Sequence, residues 1–121
     1  MARRDITGAV DFRHLESFAA GDQAVVDEVL ALFREQAEMW MRLLDPAADG
    51  WRDAAHSLKG SALGVGAFAL ADECEAAELA TTLAEKRLLA EAMRDAVAAA
   101  LADIAAYTHE QALKSLKAPP S

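Results

Sequence analysis

The sequence contains few residues that interrupt helices and lacks the alternating β-branched runs that predict strands. Its 121 residues include 6 glycines and 3 prolines. Alanine and leucine, which both favour helices, recur along most of the chain, whereas proline strongly disfavours a helix interior. We therefore expect an all-α protein.

Cysteine and positive charge are also scarce. Cys74 is the single cysteine, which excludes an intramolecular disulfide, and its place in an apolar helical pattern predicts a buried thiol rather than a redox centre. Twelve Lys and Arg against twenty Asp and Glu give a net charge of -8. That balance disfavours nucleic acid or an anionic membrane as a partner, so we expect a protein partner.

Long apolar segments and known cofactor motifs are missing too. Residues 1–11 carry no apolar core of a signal peptide, and no uninterrupted apolar run approaches the length of a membrane span. The sequence has no Gly-rich nucleotide loop, no Walker-type lysine, and no histidine or cysteine spacing typical of a metal site. We expect a cytoplasmic protein that binds no cofactor or metal of its own.

Apolar residues at three- and four-residue steps predict one short helix followed by four longer ones. Asp11 and Asp22 are candidate N-caps for the first two, and Thr82 with Glu85 has the spacing of a capping box before the last. The second helix is predicted to stop near Asp45-Pro46. The short first helix runs through Phe12, Leu15 and Phe18. The apolar stripes of the four longer helices are, in chain order, Val26, Val29, Leu30, Phe33, Ala37, Trp40 and Leu44; Trp51, Ala54, Ala55, Leu58, Ala62 and Val65; Leu70, Ala71, Cys74 and Ala77; and Leu89, Met93, Val97, Ala100, Ile104 and Tyr107.

These helices predict an antiparallel up-and-down four-helix bundle with a short additional N-terminal helix. Gly64 and Gly66 are expected to end the third helix, and the last helix is expected to reach Lys114. Residues 1–116 then form one domain, and residues 117–121, which contain two prolines, form a frayed tail. Helical bundles serve many functions, so the fold alone does not identify one.

His56 lies on the outer face of the predicted third helix. At about 100° per residue, with Leu58 as the core direction, His56 points about 160° away and faces solvent. Gly60 follows one turn later on the same face, while Lys59 and Arg52 flank the imidazole on one side. A glycine in the middle of a helix lowers the stability of the helix by about 1 kcal/mol relative to alanine. The absence of a side chain at Gly60 is explained if a partner must approach the ring closely.

This arrangement is typical of phosphate chemistry. A neutral imidazole is a nucleophile, and an ordinary histidine is mostly unprotonated at neutral pH. Lys59 lies one turn away and can balance the charge of a transferred phosphoryl group. Phosphoryl transfer depends mainly on in-line positioning and charge compensation, so His56, Lys59 and Gly60 together predict a phosphoryl-accepting site.

The run His56-Ser57-Leu58-Lys59-Gly60-Ser61, with Gly66-Ala67, Leu70, Cys74 and Glu78 at their spacings, closely resembles the histidine-containing phosphotransfer (HPt) domain of bacterial multistep phosphorelays. The resemblance implies that His56 is the phosphoacceptor, that Lys59 stabilises the phosphoryl group and that Gly60 keeps the approach clear. It also implies that the partners are receiver domains of response regulators and hybrid histidine kinases, which hold the Mg²⁺. This role needs no dimer, and we expect a monomer.

Three further residues are candidates for partner binding. Arg52 adds positive charge beside the ring, and Leu63 is an exposed leucine on the side of His56. Gly64 stands where many HPt domains carry asparagine, two residues before the later glycine. Arg52 and Asp53 fit equally well as ordinary surface charges, and Ser61 is expected to pack or to make a local backbone hydrogen bond.

The leading hypothesis is a phosphorelay carrier that takes a phosphoryl group on His56 from one receiver aspartate and passes it to another. The alternative is a docking module that binds receiver or kinase domains through the same face without being phosphorylated. An independent kinase or phosphatase is disfavoured, because no nucleotide site and no second catalytic constellation is present.

Overall fold

Five α-helices make up the computed structural model, which describes residues 8–117. They are α1 (Phe12–Phe18), α2 (Gln23–Leu43), α3 (Trp51–Val65), α4 (Phe68–Leu79) and α5 (Leu83–Lys117). Helices α2 to α5 form the predicted antiparallel four-helix bundle, and α1 packs against α2 and α3. No helix within this part of the chain is long and apolar enough to cross a membrane.

Side chains begin three of the helices as the sequence predicts. Asp11, Asp22 and Thr82 each accept a backbone N–H from the first turn of the helix that follows, at 3.1 Å in all three cases. The first four N–H groups of a helix have no partner within it, so each of these bonds stabilises a helix start. The end of α2 at Leu43 also agrees with the predicted stop near Asp45-Pro46.

The apolar stripes meet in one core, as predicted, with three residues only half-buried at its edge, namely Val29, Trp40 and Leu89. Cys74 is fully buried within this core, and burial raises the pKa of its thiol to about 12. The thiol therefore stays protonated at neutral pH. The largest fully buried side chains are Trp51, Tyr107, Phe33, Leu15, Leu58, Leu70, Met93 and Ile104.

One apolar residue of α1 lies off the core, and two helix ends differ from those predicted. Phe18 is 76% exposed, because six helical residues turn it about 120° away from Phe12, which packs on the core. Gly64 lies inside α3 and does not end it. Helix α5 continues past Lys114 to Lys117, since no helix-breaking residue precedes Pro119. The remainder of the predicted tail, residues 118–121, lies outside the described residues.

Gly66 ends α3 in the left-handed conformation, with φ of +80°. The N–H of Ala67 returns to the carbonyl oxygen of Ala62 at 2.9 Å, which is the hydrogen bond of a Schellman motif. The carbonyl oxygen of Gly66 accepts the N–H of Asp11 at 2.9 Å. This turn therefore both directs α4 back along α3 and attaches the start of α1.

Asp103 of α5 fastens the segment before α1. Its buried side chain accepts backbone N–H groups from Gly8, Ala9 and Val10 at 3.1, 2.8 and 3.4 Å. A buried carboxylate is tolerated only when hydrogen bonds replace its lost hydration. No sequence pattern predicted this contact, since it joins residues more than ninety positions apart.

Replacing Gly66 with alanine is expected to lower the free energy of unfolding by about 1–3 kcal/mol. Its φ is unfavourable for an L-residue, and the added Cβ would lie 2.9 Å from the Asp11 carbonyl oxygen. The matched control is Gly64→Ala, whose Cβ meets nothing within 4 Å; it should leave stability unchanged or raise it by up to about 1 kcal/mol. Denaturant unfolding measures both, and equal stabilities for the two variants would contradict the role assigned to the Gly66 turn.

Candidate functional site

Helix α3 presents His56 to solvent, as the wheel geometry predicts. The side chain of His56 is 71% exposed, whereas Ala55, Leu58 and Ala62 on the opposite face are completely buried. The apolar face holds α3 against its neighbours and so fixes the direction of the ring. The imidazole is thus accessible to a partner, while the helix that carries it is held in place by its packing on the core.

Helix α4 places Glu78 beside this ring. Glu78 Oε1 accepts a hydrogen bond from Nδ1 of His56, and Oε2 accepts one from Nζ of Lys59 at 2.7 Å. One carboxylate therefore bridges the two residues that the sequence assigns to phosphoryl chemistry. The Glu78 side chain is 12% exposed and that of Lys59 is 24% exposed, so the bridge lies at the edge of the core beneath the more open ring.

The pKa values of this pair move in the directions expected for an ion pair. The hydrogen bond from Lys59 is the main cause that lowers the pKa of Glu78, with that from His56 adding to it. The hydrogen bond to Glu78 likewise raises the pKa of Lys59. Both directions favour the charged forms, so Glu78 is ionised at neutral pH.

An ionised carboxylate can only accept hydrogen bonds, so the contact with Glu78 requires a proton on Nδ1 of His56. In the neutral ring the other nitrogen, Nε2, then carries the lone pair. Because the ring is largely exposed, Nε2 is available to an electrophile brought by another molecule. Nε2 is therefore the ring nitrogen that can act as a nucleophile, and the bond to Glu78 fixes the orientation of the ring.

The other residues singled out by sequence lie on the exposed side of α3, before and after His56. Gly60 is exposed, and a Cβ added there would meet nothing within 4 Å. Leu63 is 47% exposed. Gly60 and Gly64 also line a shallow groove between α2 and α3, together with Val29, Leu32, Phe33, Gln36, Ser61 and Val65.

Arg52 is exposed one turn before His56 and makes no hydrogen bond or ion pair with residues 8–117, so the structure does not join it to the Glu78 bridge. Asp53 is exposed as well. Ser61 donates its hydroxyl to Gln36 Oε1 at 2.9 Å and to the Ser57 carbonyl oxygen at 3.3 Å, which confirms its predicted local role. Nowhere in residues 8–117 do three His, Cys, Asp or Glu side chains lie together as a candidate metal site.

Sequence reasoning included Glu78 in the motif but gave it no role. The signal was present in its register: Glu78 follows Ala71 by seven residues and Cys74 by four, which places it on the buried face of α4. A carboxylate on such a face needs a partner. The hydrogen bond from Trp51 Nε1 to the Ala77 carbonyl oxygen at 2.8 Å was not foreseen, and it holds α3 against the end of α4 that carries Glu78.

We expect the neutral ring of His56 to be protonated on Nδ1 in the unmodified protein, because Glu78 accepts that proton's hydrogen bond. The ¹⁵N chemical shifts of the two ring nitrogens report which one carries the proton. Glu78→Ala should move both shifts toward the values of a freely solvated histidine ring, while those of His109 stay unchanged. Predominant protonation of Nε2 in the unsubstituted protein would contradict the geometry.

Comparison with solved structures finds the histidine phosphotransferase ShpA from Caulobacter crescentus, determined by crystallography at 1.52 Å resolution. It shares 60% sequence identity with this chain and superposes with a TM-score of 0.77. The match covers 91% of this chain and 100% of that chain. No protein-family model matches the sequence, and a comparison with curated proteins gives no match.

Proposed function

The chain belongs to the histidine phosphotransferase (HPt) family, and from that premise we propose that it is a phosphorelay carrier with His56 as the phosphoacceptor. It receives a phosphoryl group from the aspartate of one receiver domain and passes it to the aspartate of another. The observation that carries this proposal is the exposed imidazole whose Nδ1 is bonded to Glu78. That contact leaves Nε2 as the accessible nucleophile.

In the forward step the lone pair of Nε2 attacks the phosphorus of the receiver's aspartyl phosphate. A bond forms between Nε2 and phosphorus while the acyl phosphate P–O bond breaks, and the aspartate leaves as a carboxylate with the electron pair. The proton remains on Nδ1, so the ring becomes cationic and the Glu78 carboxylate balances its charge. Transfer to the next receiver uses the same atoms in reverse.

The receiver domains that donate and accept the phosphoryl group supply the part of the transfer site that this chain lacks. Phosphoryl transfer requires an in-line approach and cations around the transferred group. Lys59 provides one cation, and we assign the Mg²⁺ to the receiver's acidic pocket. The chain then takes its phosphoryl group from another protein rather than from ATP, and it acts as a carrier without kinase activity of its own.

The exposed side of α3 is the docking surface in this proposal. Gly60 leaves open space beside His56, Leu63 offers apolar area two turns along the same face, and Gly64 with Gly60 opens the groove toward α2. Arg52 contributes positive charge that complements an acidic receiver pocket. A small patch of this kind suits transient exchange better than permanent association.

The direct test is transfer of ³²P from a phosphorylated receiver. The wild-type protein should become labelled and His56→Gln should take up no label, because Nε2 is the only proposed acceptor; His109→Gln is the matched control and should label normally. Incubation with ATP alone should give no labelling. Label on the His56→Gln variant would refute the assignment, and receivers that bind the wild type without ever labelling it would favour the docking-module alternative.

Gly60→Ala should slow transfer by about tenfold or more, since a small displacement of the reacting groups has a large effect on rate. The added methyl group has space within the protein, so stability should stay the same or rise by up to about 1 kcal/mol. Gly50→Ala adds a methyl group in open space at the start of α3, outside the docking surface, and should transfer at the normal rate. A Gly60→Ala rate equal to wild type would remove steric access from the mechanism.

A further inference from the structure

Lys59 is already engaged before any phosphoryl group arrives. Its Nζ lies 2.7 Å from Oε2 of Glu78, the carboxylate that also bonds His56. One of the three N–H donors of Lys59 is thereby bound to Glu78, so this carboxylate competes with an arriving phosphoryl group for the same positive charge. In the resting site the anion that Lys59 binds is therefore Glu78.

We propose that Lys59 is exchanged between two anions during the cycle: Glu78 holds it while His56 is free, and the phosphoryl group on Nε2 takes it over. This inference rests on the proposed phosphocarrier function. It makes Glu78 a positioning residue with two separable tasks, one for each carboxylate oxygen. Oε1 keeps the proton on Nδ1 of His56, and Oε2 binds the ammonium group of Lys59 while His56 is unmodified.

The balance of charge supports such an exchange. In the resting site the ring of His56 carries no charge, so Lys59 is the cation that pairs with the Glu78 carboxylate. After transfer, the ring becomes a cation that faces Glu78, while a phosphoryl group with close to two negative charges stands on Nε2. Lys59 then has the more highly charged anion available, and Glu78 keeps a cationic partner without it.

The chain geometry allows the movement. Lys59 follows His56 by three residues on α3, so both side chains leave neighbouring positions of one face. A lysine side chain has four flexible carbons and ends in a compact charge with rotatable donors. Since the Lys59 side chain remains partly exposed, its ammonium group can swing without opening the core. Glu78 then acts as a competitor that limits how strongly His56 retains the phosphoryl group.

A double-mutant cycle separates this exchange from a fixed ion pair. The quantity measured is the equilibrium constant for phosphoryl transfer from a receiver to His56, determined for wild type, Lys59→Met, Glu78→Gln and the double variant. We expect Lys59→Met to lower the constant about two- to fivefold in the wild-type background. In the Glu78→Gln background no carboxylate competes for Lys59, so the fold-decrease caused by Lys59→Met should be about three times larger. The direct effect of Glu78 on the ring cancels in this comparison.

The matched control is Arg52→Met, which removes a cation from the same face that does not contact Glu78. Its effect should be the same in both backgrounds. If Lys59 serves only to hold Glu78 in place, Lys59→Met should have no effect once Glu78 is glutamine, and that result would overturn the proposal. An equal effect of Lys59→Met in the two backgrounds would overturn it as well.

A second readout does not depend on any receiver. Phosphoramidate, a small P–N phosphoryl donor that releases ammonia, is used to phosphorylate His56, and the ¹⁵Nζ signal of Lys59 is followed by NMR. Glu78→Gln should shift this signal in the free protein and leave it nearly unchanged in the phosphorylated protein. Equal shifts in both states would refute the exchange, whereas failure of every receiver to label His56 would refute the carrier function alone.

Discussion

The packing of α3 against α4 is the constraint on which the site depends. Small residues bring the two helices together: Ala55, Ala62, Ala71 and Ala77 are all buried between or beside them. The left-handed turn at Gly66 joins the helices at one end, and the indole of Trp51 bonds the Ala77 carbonyl oxygen at the other. This fixed register sets Glu78 of α4 opposite His56 and Lys59 of α3.

A carboxylate in that position gives the surface histidine its chemical character. Solvated imidazoles change tautomer freely, whereas Nδ1 of His56 is bonded to Glu78 and Nε2 is free of that contact. The same carboxylate also bonds Lys59, so the imidazole of His56 and the ammonium group of Lys59 share one hydrogen-bond partner. In the proposed function a partner completes the site from the solvent side, so no enclosed pocket is required and the core supplies only orientation.

The sequence was sufficient for the bundle, the helix caps and the outward direction of His56, since these follow from periodicity and local hydrogen bonding within single helices. It was insufficient where distant segments meet. Asp103 bonds the backbone of residues 8–10, and Glu78 bonds two residues about twenty positions earlier. Periodicity can show that such a carboxylate lies on a buried face, but only the packing of the helices identifies its partner. Phe18 shows another limit, because the periodicity of a seven-residue helix does not decide which of its apolar residues the bundle covers.

The central claim is that Glu78 makes Nε2 of His56 the reacting atom, and the bond itself can be observed. Protein labelled with ¹⁵N in its histidine rings and phosphorylated from a receiver should show a one-bond ³¹P–¹⁵N coupling to a single nitrogen. We expect this nitrogen to be Nε2 of His56. Coupling to Nδ1 of His56, or to a ring nitrogen of His14 or His109, would contradict it.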